Sequence, residues 1–162
     1  MRILAVFDSE GSHASIQSLQ KKHQLTLLSD PRRILQLMRT QAFDLILCQA
    51  VFEEFPDNVF DVLKIVREVS DIPLIACNSS NKLENSIDNL YVKTLPLLGA
   101  QGYVDSEQFL SSSFAQIVEK AVQGAAHTAV GGECTVTSLD TSISLVDSRT
   151  SSAKFAMKSE KE

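Results

Sequence analysis

The sequence predicts an α/β fold in which a five-stranded parallel sheet is doubly wound, with helices on both faces. Five short apolar runs, each bounded by turn-forming residues, support this prediction. Segments with helical periodicity separate most of these runs, which gives an alternating order of strands and helices. Three of the runs are almost continuously hydrophobic, as is typical of strands covered on both faces. The right-handed crossover rule then favours an open, doubly wound parallel sheet.

The strands are predicted where β-forming, apolar residues are continuous. They are residues 2–7 (RILAVF), 24–29 (QLTLLS), 43–49 (FDLILCQ), 72–78 (IPLIACN) and 102–104 (GYV). Pro73 lies near the start of the fourth strand, where a missing N–H costs little.

The helices are predicted where apolar residues recur at helical spacing. They are residues 12–22, 31–41, 58–69, 84–98 and 107–123. Asp30 and Pro31 form a start signal for the second helix. The last segment has the clearest apolar stripe, whereas the fourth is the weakest, because Pro96 should end or kink it.

The chain divides by composition into a domain and a tail. Its 162 residues, of which 44% are hydrophobic and 22% charged, suit one globular core. We assign residues 1–124 to this domain. Residues 125–162 contain about a dozen serines and threonines and few apolar side chains, so they are predicted to form a flexible tail. A short extended stretch is expected at 134–146.

Charge and cysteine usage narrow the function classes. The net charge of −5 argues against direct nucleic-acid binding, which needs a surplus of cations. No apolar run approaches the roughly 18 residues of a membrane span, and no signal-peptide core is evident, so we expect a cytoplasmic protein. The three cysteines lack metal-binding spacing, and Cys48 and Cys77 are predicted to be buried core residues.

Polar residues follow the predicted strands at the edge where chemistry gathers in such sheets. In a parallel sheet, ligands bind outside the carboxyl ends of the strands. Those ends are Asp8, Gln49, Asn78 and the pair Asp105 and Ser106. These side chains are therefore expected to lie near one another.

Four segments resemble the receiver domain of bacterial response regulators. They are RILAVFDSE, FDLILCQ, IPLIACNS and GAQGYVDSEQF, which correspond to the first, third, fourth and fifth strands of that family. The resemblance covers about residues 1–123, and the GA-x-G-Y and IPLI segments are its most specific parts. It implies a CheY-like fold and a role in two-component signal transduction.

The residues that the family uses for phosphorylation are replaced. The resemblance aligns Phe7 with the first metal-binding acid and leaves Asp8 as the retained acid. Gln49 replaces the phosphoacceptor aspartate, Asn78 the hydroxyl residue, and Ser106 the lysine. A shift of one residue would put Ser79 at the hydroxyl position, but it supplies no carboxylate near position 49. Because a neutral amide cannot form an acyl phosphate, the mechanism as a whole is predicted to be lost.

Metal and cofactor binding are not expected. Mg²⁺ prefers several oxygen ligands, and only Asp8, with Glu10 as a second donor, remains near the first strand. We regard both as vestigial. The chain is thus interpreted as a degenerate pseudo-receiver, and the alternative is that Gln49 caps a strand in a flavodoxin-like fold of another purpose.

Three aromatic residues are candidates for a partner surface. Tyr103 aligns with the family's output-face aromatic, and packing of its ring as filler is the alternative. Phe52 and Phe55 lie among acids in the loop VFEEFPDN. They could anchor a partner or fold back as a lid over the degenerate site.

These features predict a regulatory module and not an enzyme. We expect it to bind a signalling protein, a kinase or a transcription regulator, without phosphorylation, and the resemblance nominates the fourth and fifth helices for a homodimer. The alternative is a small-molecule sensor that uses the pocket of Phe7, Gln49, Asn78 and Ser106. A phosphate-binding enzyme is disfavoured, because DSEGSHAS has a single glycine.

Overall fold

A five-stranded parallel sheet forms the centre of the protein, as predicted. The structure, a computed structural model, describes residues 1–8, 13–79 and 85–128. Its strands are β1 (Arg2–Val6), β2 (Gln24–Leu28), β3 (Leu45–Gln49), β4 (Leu74–Cys77) and β5 (Gly102–Val104). They pair in the order β2-β1-β3-β4-β5, and each pair is parallel. The predicted tail at 125–162 lies almost wholly outside the described residues.

Six α-helices lie in the described part of the chain. They are α1 (His13–Gln17), α2 (Ile34–Thr40), α3 (Val59–Val69), α4 (Asn85–Leu97), α5 (Ser106–Leu110) and α6 (Phe114–Thr128). A 3₁₀ turn at Ser18–Lys21 follows α1, and another at Pro31–Arg33 precedes α2. Asp30 caps this second turn by accepting a hydrogen bond from the N–H of Arg32, which confirms the predicted start signal.

The prediction of one long helix at 107–123 was wrong. Asp105 and Gln108 form a capping box that starts α5, and the backbone is extended at Ser111, where α5 ends. The apolar stripe nevertheless runs through both helices, because Phe109 and Phe114 pack edge to face, with ring centroids 4.9 Å apart. Periodicity alone therefore could not show the break.

Pro96 has less effect on α4 than expected. The helix continues one residue past Pro96 and ends at Leu97, so the proline lies in its last turn and the helix is shorter by no more than a residue than the predicted end at 98. Gly99 follows with a φ of 95°, a conformation that suits glycine and turns the chain toward β5.

Apolar residues fill both faces of the sheet. One layer joins the sheet to α2, α3 and α4, and the other joins it to α1, α5 and α6. Every residue of β3 is buried, which explains its unbroken apolar run. Cys48 and Cys77 are free and buried, as predicted, and burial raises the pKa of both thiols.

The carboxyl ends of all five strands meet at one edge, because the strands are parallel. Asp8, Gln49, Asn78 and Asp105 each lie at or just beyond the end of a strand at this edge. Across the described residues, no helix is both long enough and apolar enough to cross a membrane.

Candidate functional site

Gln49 ends the central strand β3 and is only 2% exposed. Its side-chain Oε1 accepts a hydrogen bond from the backbone N–H of Asp8 at 3.1 Å. Its Nε2 donates to the backbone carbonyl of Val51 at 2.8 Å. The amide therefore joins the end of β1 to the start of the loop that follows β3, and both of its polar atoms have partners.

Asp8 holds the same loop through its carboxylate. Its Oδ2 accepts hydrogen bonds from the backbone N–H groups of Glu53 and Glu54, the latter at 2.9 Å. The other oxygen, Oδ1, is buried and has no hydrogen-bond partner within the described ranges. Backbone donors thus satisfy one oxygen of the retained acid.

The loop between β3 and α3 is closed at both ends. Val51 and Asn58 form an isolated antiparallel bridge. Asn58 then caps α3, accepting hydrogen bonds from the N–H groups of Phe60 and Asp61, while Asp61 accepts one from the N–H of Asn58. The loop is therefore held from Val51 to the first turn of α3.

Phe7 does not line a strand-end pocket, contrary to our expectation. It is 3% exposed and stacks on Phe109 of α5, with ring centroids 5.7 Å apart. The reason is strand alternation: its side chain lies on the same face as Ile3 and Ala5, within the layer that packs against α1, α5 and α6. The ring therefore adds to the core.

A second network lies at the ends of β4 and β5. Asn78 is buried, and its Nδ2 donates to Oδ1 of Asp88 at 3.0 Å. The hydroxyl of Tyr103 donates a very short hydrogen bond to the same oxygen. Asp88, on α4, therefore ties that helix to the ends of both strands.

Sequence reasoning missed Asp88. It follows no strand and belongs to no motif, and α4 was the least certain of the predicted helices. Only the placement of α4 beside β5 brings its carboxylate to Asn78 and Tyr103. Its one sequence signal is that it is an acid in the first turn of a helix, where acids are common because the helix dipole favours negative charge.

Neighbouring residues hold both the hydroxyl and the ring of Tyr103. Its hydroxyl is bonded to Asp88, and its ring lies against that of Tyr91, with centroids 6.0 Å apart. Burial, together with the hydrogen bond to Asp88, raises the pKa of the Tyr103 phenol. The ring thus has a packing role, the alternative that the sequence left open.

Ser106 is separate from both networks. It is the first residue of α5, directly after the Asp105 cap, and it is half-buried. Within the described ranges, no hydrogen bond joins its side chain to Gln49 or Asn78. The position of the expected lysine is thus occupied by a short neutral residue that starts a helix.

Phe52 is not a surface residue, which corrects its assignment to a partner surface. It is 4% exposed and packs with the core layer of α2, α3 and α4. Phe55 is half-buried against the same layer, and the guanidinium of Arg32 lies 4.8 Å from its ring centroid. Both rings fold back onto the protein.

The described part of this region contains no cluster of metal ligands. The described residues contain no group of three or more His, Cys, Asp or Glu side chains placed to hold an ion. Glu10, named as the second donor, lies outside the described residues.

Replacing Gln49 with alanine should loosen this edge. The change removes the hydrogen bonds of Gln49 to the N–H of Asp8 and to the carbonyl of Val51, which lie in part-buried surroundings, and a typical bond of this kind contributes about 0.5–1.5 kcal/mol. We expect the free energy of unfolding, measured by urea denaturation, to fall by about 1–3 kcal/mol. The control is Gln36→Ala on the exposed face of α2. Equal losses in the two variants would contradict the role assigned to Gln49.

The tyrosine phenols should resist alkaline titration. Burial raises the pKa of Tyr91 and, with the hydrogen bond to Asp88, that of Tyr103, and these are the chain's two tyrosines. Above about pH 10 the unfolded chain loses phenol protons that the native state retains, so stability should fall as the pH rises further.

Tyrosinate absorbance, recorded with and without urea, measures this difference. The native curve should lie at higher pH than the denatured one. Tyr103→Phe should remove the larger part of the gap. Coincident curves for the native and denatured protein would rule out the buried, bonded phenols described above.

Comparisons with known proteins bear on the fold. No protein-family model matches the chain, and no curated protein matches it. Among solved structures, the N-terminal domain of a response regulator/sensory box/GGDEF three-domain protein from Carboxydothermus hydrogenoformans is 17% identical, with a TM-score of 0.61. That match covers 80% of this chain and 99% of that domain.

Two further response-regulator structures are similar to the chain. The receiver domain of the TMAO respiratory system response regulator TorR is 21% identical with a TM-score of 0.58, over 74% of this chain and 92% of that one. Chemotaxis response regulator CheY4 of Vibrio cholerae is 19% identical with a TM-score of 0.54, over 74% and 97%. At these identities the likeness concerns the backbone, and the chain has the CheY-like fold of response-regulator receiver domains.

Proposed function

We propose that this chain is a regulatory module of signal transduction that acts through protein–protein contacts and is not phosphorylated. The observation that carries the proposal is the state of Gln49. A buried amide, bonded at both ends, occupies the position that the receiver resemblance gives to the phosphoacceptor carboxylate. An amide has no anionic oxygen with which to attack phosphorus.

The neighbouring positions support the same conclusion. Phe7 packs in the core where the resemblance places a metal-binding acid, and Ser106 starts a helix where it places a lysine. Transfer of a phosphoryl group needs its developing charge to be matched by fixed cations or a metal ion. The proposal therefore assigns no catalytic activity, no metal and no cofactor to this edge.

In this proposal, internal hydrogen bonds hold the strand-end site in one arrangement, so no phosphoryl group is needed to set it. Asp8 and Gln49 hold the loop after β3, and Asp88 holds Tyr103. Both contacts form between groups of the same chain and need no phosphoryl group. The module would thus present one constant surface, and its regulation would come from its abundance or from competition among its partners.

The proposed partner is a signalling protein, either a kinase or a transcription regulator. Exposed apolar side chains along α4 and just after it offer a contact surface, namely Leu90, Leu97 and Leu98. The receiver resemblance nominates this same helix, with α5 and α6, for partners or for a homodimer. Direct nucleic-acid binding is not part of the proposal, because the net charge is −5.

The proposal places the module in the bacterial cytoplasm. Its solved neighbours include receiver domains of response regulators from Carboxydothermus hydrogenoformans and Vibrio cholerae. It would act there as a pseudo-receiver within a two-component pathway.

A small-molecule sensor is the less favoured function. The polar groups that a ligand would use, the amides of Gln49 and Asn78, are buried and already hydrogen-bonded to the protein. A ligand would have to replace these bonds before gaining any contact of its own.

Incubation with acetyl phosphate and Mg²⁺, followed by intact-protein mass spectrometry, tests the proposal. The native protein should show no phosphoryl adduct under conditions that label an active receiver domain in a parallel reaction. A stable adduct on the native protein would overturn the proposed independence from phosphorylation.

Gln49→Asp is the matched variant. It supplies the missing nucleophile but neither the lysine nor the second acid, so we expect little or no adduct. Strong labelling of this variant alone would show that the remaining site is competent and that Gln49 is the residue that prevents phosphorylation. Both results agree with the proposal, provided that the native chain stays unlabelled.

A further inference from the structure

The strand β2 forms one edge of the sheet and is paired on one side. Its sole strand partner in the described structure is β1. The N–H of Gln24 donates to the carbonyl of Met1, and the carbonyl of Leu28 accepts from the N–H of Phe7. Gln24 and Leu28 therefore direct their backbone groups toward β1.

Alternation along the strand determines where the other backbone groups point. If Gln24, Thr26 and Leu28 face β1, the N–H and C=O groups of Leu25 and Leu27 face away from the sheet. No hydrogen bond to these four groups occurs within the described ranges. An open edge of this kind is a template for another strand.

The edge also lacks the usual protection against pairing. β2 contains neither proline nor a charged residue, and it is five residues long. Leu27 is 46% exposed, although its neighbour on the same face, Leu25, packs against the core. By contrast β5, at the other edge, has three residues. Of the two edge strands of the described structure, each with a single strand partner, β2 is the longer.

We propose that β2 pairs antiparallel with β2 of a second copy of this chain, about a two-fold axis at Thr26. Leu25 of each copy then lies opposite Leu27 of the other. Each such pair exchanges two N–H···O bonds, so the two pairs supply about four. The partner's Leu25 also covers the exposed side chain of Leu27. All the outward-facing backbone groups of the strand are satisfied.

Charge favours this register and a second copy as the partner. With Thr26 opposite itself, the turn that contains Lys22 lies at the same end of the strand pair as the partner's Asp30, and this arrangement occurs twice. Lys22 is exposed and lies 3.4 Å from Glu119 of its own chain. Asp30 is bonded to Arg32 of its own chain at 3.0 Å. Antiparallel pairing thus brings opposite charges together at both ends, whereas a shift by two residues would separate them.

The inferred dimer would be weak and would not depend on the proposed function. A five-residue strand buries less than the total of about 1,200 Å² typical of stable interfaces, so the dimer should dissociate on dilution. Its surface is separate from α4, which the receiver resemblance nominates. The two surfaces can therefore be tested against each other.

Sedimentation velocity of the full chain over a range of concentrations tests the surface. The native protein should shift from monomer to dimer as its concentration rises. Leu27→Lys should remove the dimer at the concentration where half of the native chains are paired, because it puts a charge in the covered position. Leu90→Lys, the same change at an exposed leucine of α4, should leave the dimer intact.

Cross-linking tests the register. Thr26→Cys, made in a Cys134→Ser background, places two thiols across the axis with Cβ atoms about 4.5–5.5 Å apart, close to disulfide geometry. Mild oxidation should give a disulfide-linked dimer. Gln24→Cys in the same background should not, because its two thiols lie about 13 Å apart along the strands.

Three outcomes would overturn the inference. The first is a native protein that stays monomeric at every concentration. The second is a dimer that Leu90→Lys abolishes and Leu27→Lys does not, which would assign pairing to α4. The third is cross-linking of Gln24→Cys in place of Thr26→Cys, which would exclude this register. None of these results bears on whether the protein is phosphorylated.

Discussion

The two hydrogen bonds of the Gln49 amide are the constraint on which the strand-end edge depends. The residue lies at the end of the central strand, among buried neighbours, where a carboxylate would need a cation or several donors to remain ionised. An amide instead offers one acceptor and donors of its own, and the N–H of Asp8 and the carbonyl of Val51 match them. The Gln49 amide is therefore satisfied by groups of the chain itself. The loop after β3 is set by the same bonds, and through Asn58 it leads directly into α3.

The two networks at this edge use the same physical solution. In one, the Asp8 carboxylate accepts hydrogen bonds from loop N–H groups, and in the other, the Asp88 carboxylate accepts them from Asn78 and Tyr103. Each acid is satisfied, in whole or in part, by donors of the same chain. Groups that would otherwise respond to a ligand are thus engaged in holding the fold. These hydrogen bonds are the physical reason to expect a protein whose contact surface does not change with phosphorylation.

Sequence patterns predicted the sheet closely and the site only in part. The five strands were visible because continuous apolar runs between turn formers admit few other structures. Gln49 and Asn78 were found because they end such runs. Phe7 was misplaced because alignment to a motif took precedence over strand alternation, which sends its ring into the core. Phe52 and Asp88 depend on how a loop and a helix fold over the sheet, and the break before α6 is hidden by an apolar stripe that spans it. These features depend on contacts between residues that are distant in sequence, so no local sequence pattern predicts them.

The strand β1 connects the hydrogen-bonded strand ends at Gln49 with the outermost strand β2. It ends just before Asp8, whose N–H is held by Gln49, and it pairs along its whole length with β2. The bond from the N–H of Phe7 to the carbonyl of Leu28 lies one residue before that anchor. The pairing of β1 with β2 determines which backbone groups of β2 face outward, and the hydrogen bond of Asp8 to Gln49 supports that pairing by holding the end of β1. The hydrogen bonds of Gln49 at the strand ends therefore also support the outer side of β2, which is the surface proposed for the dimer.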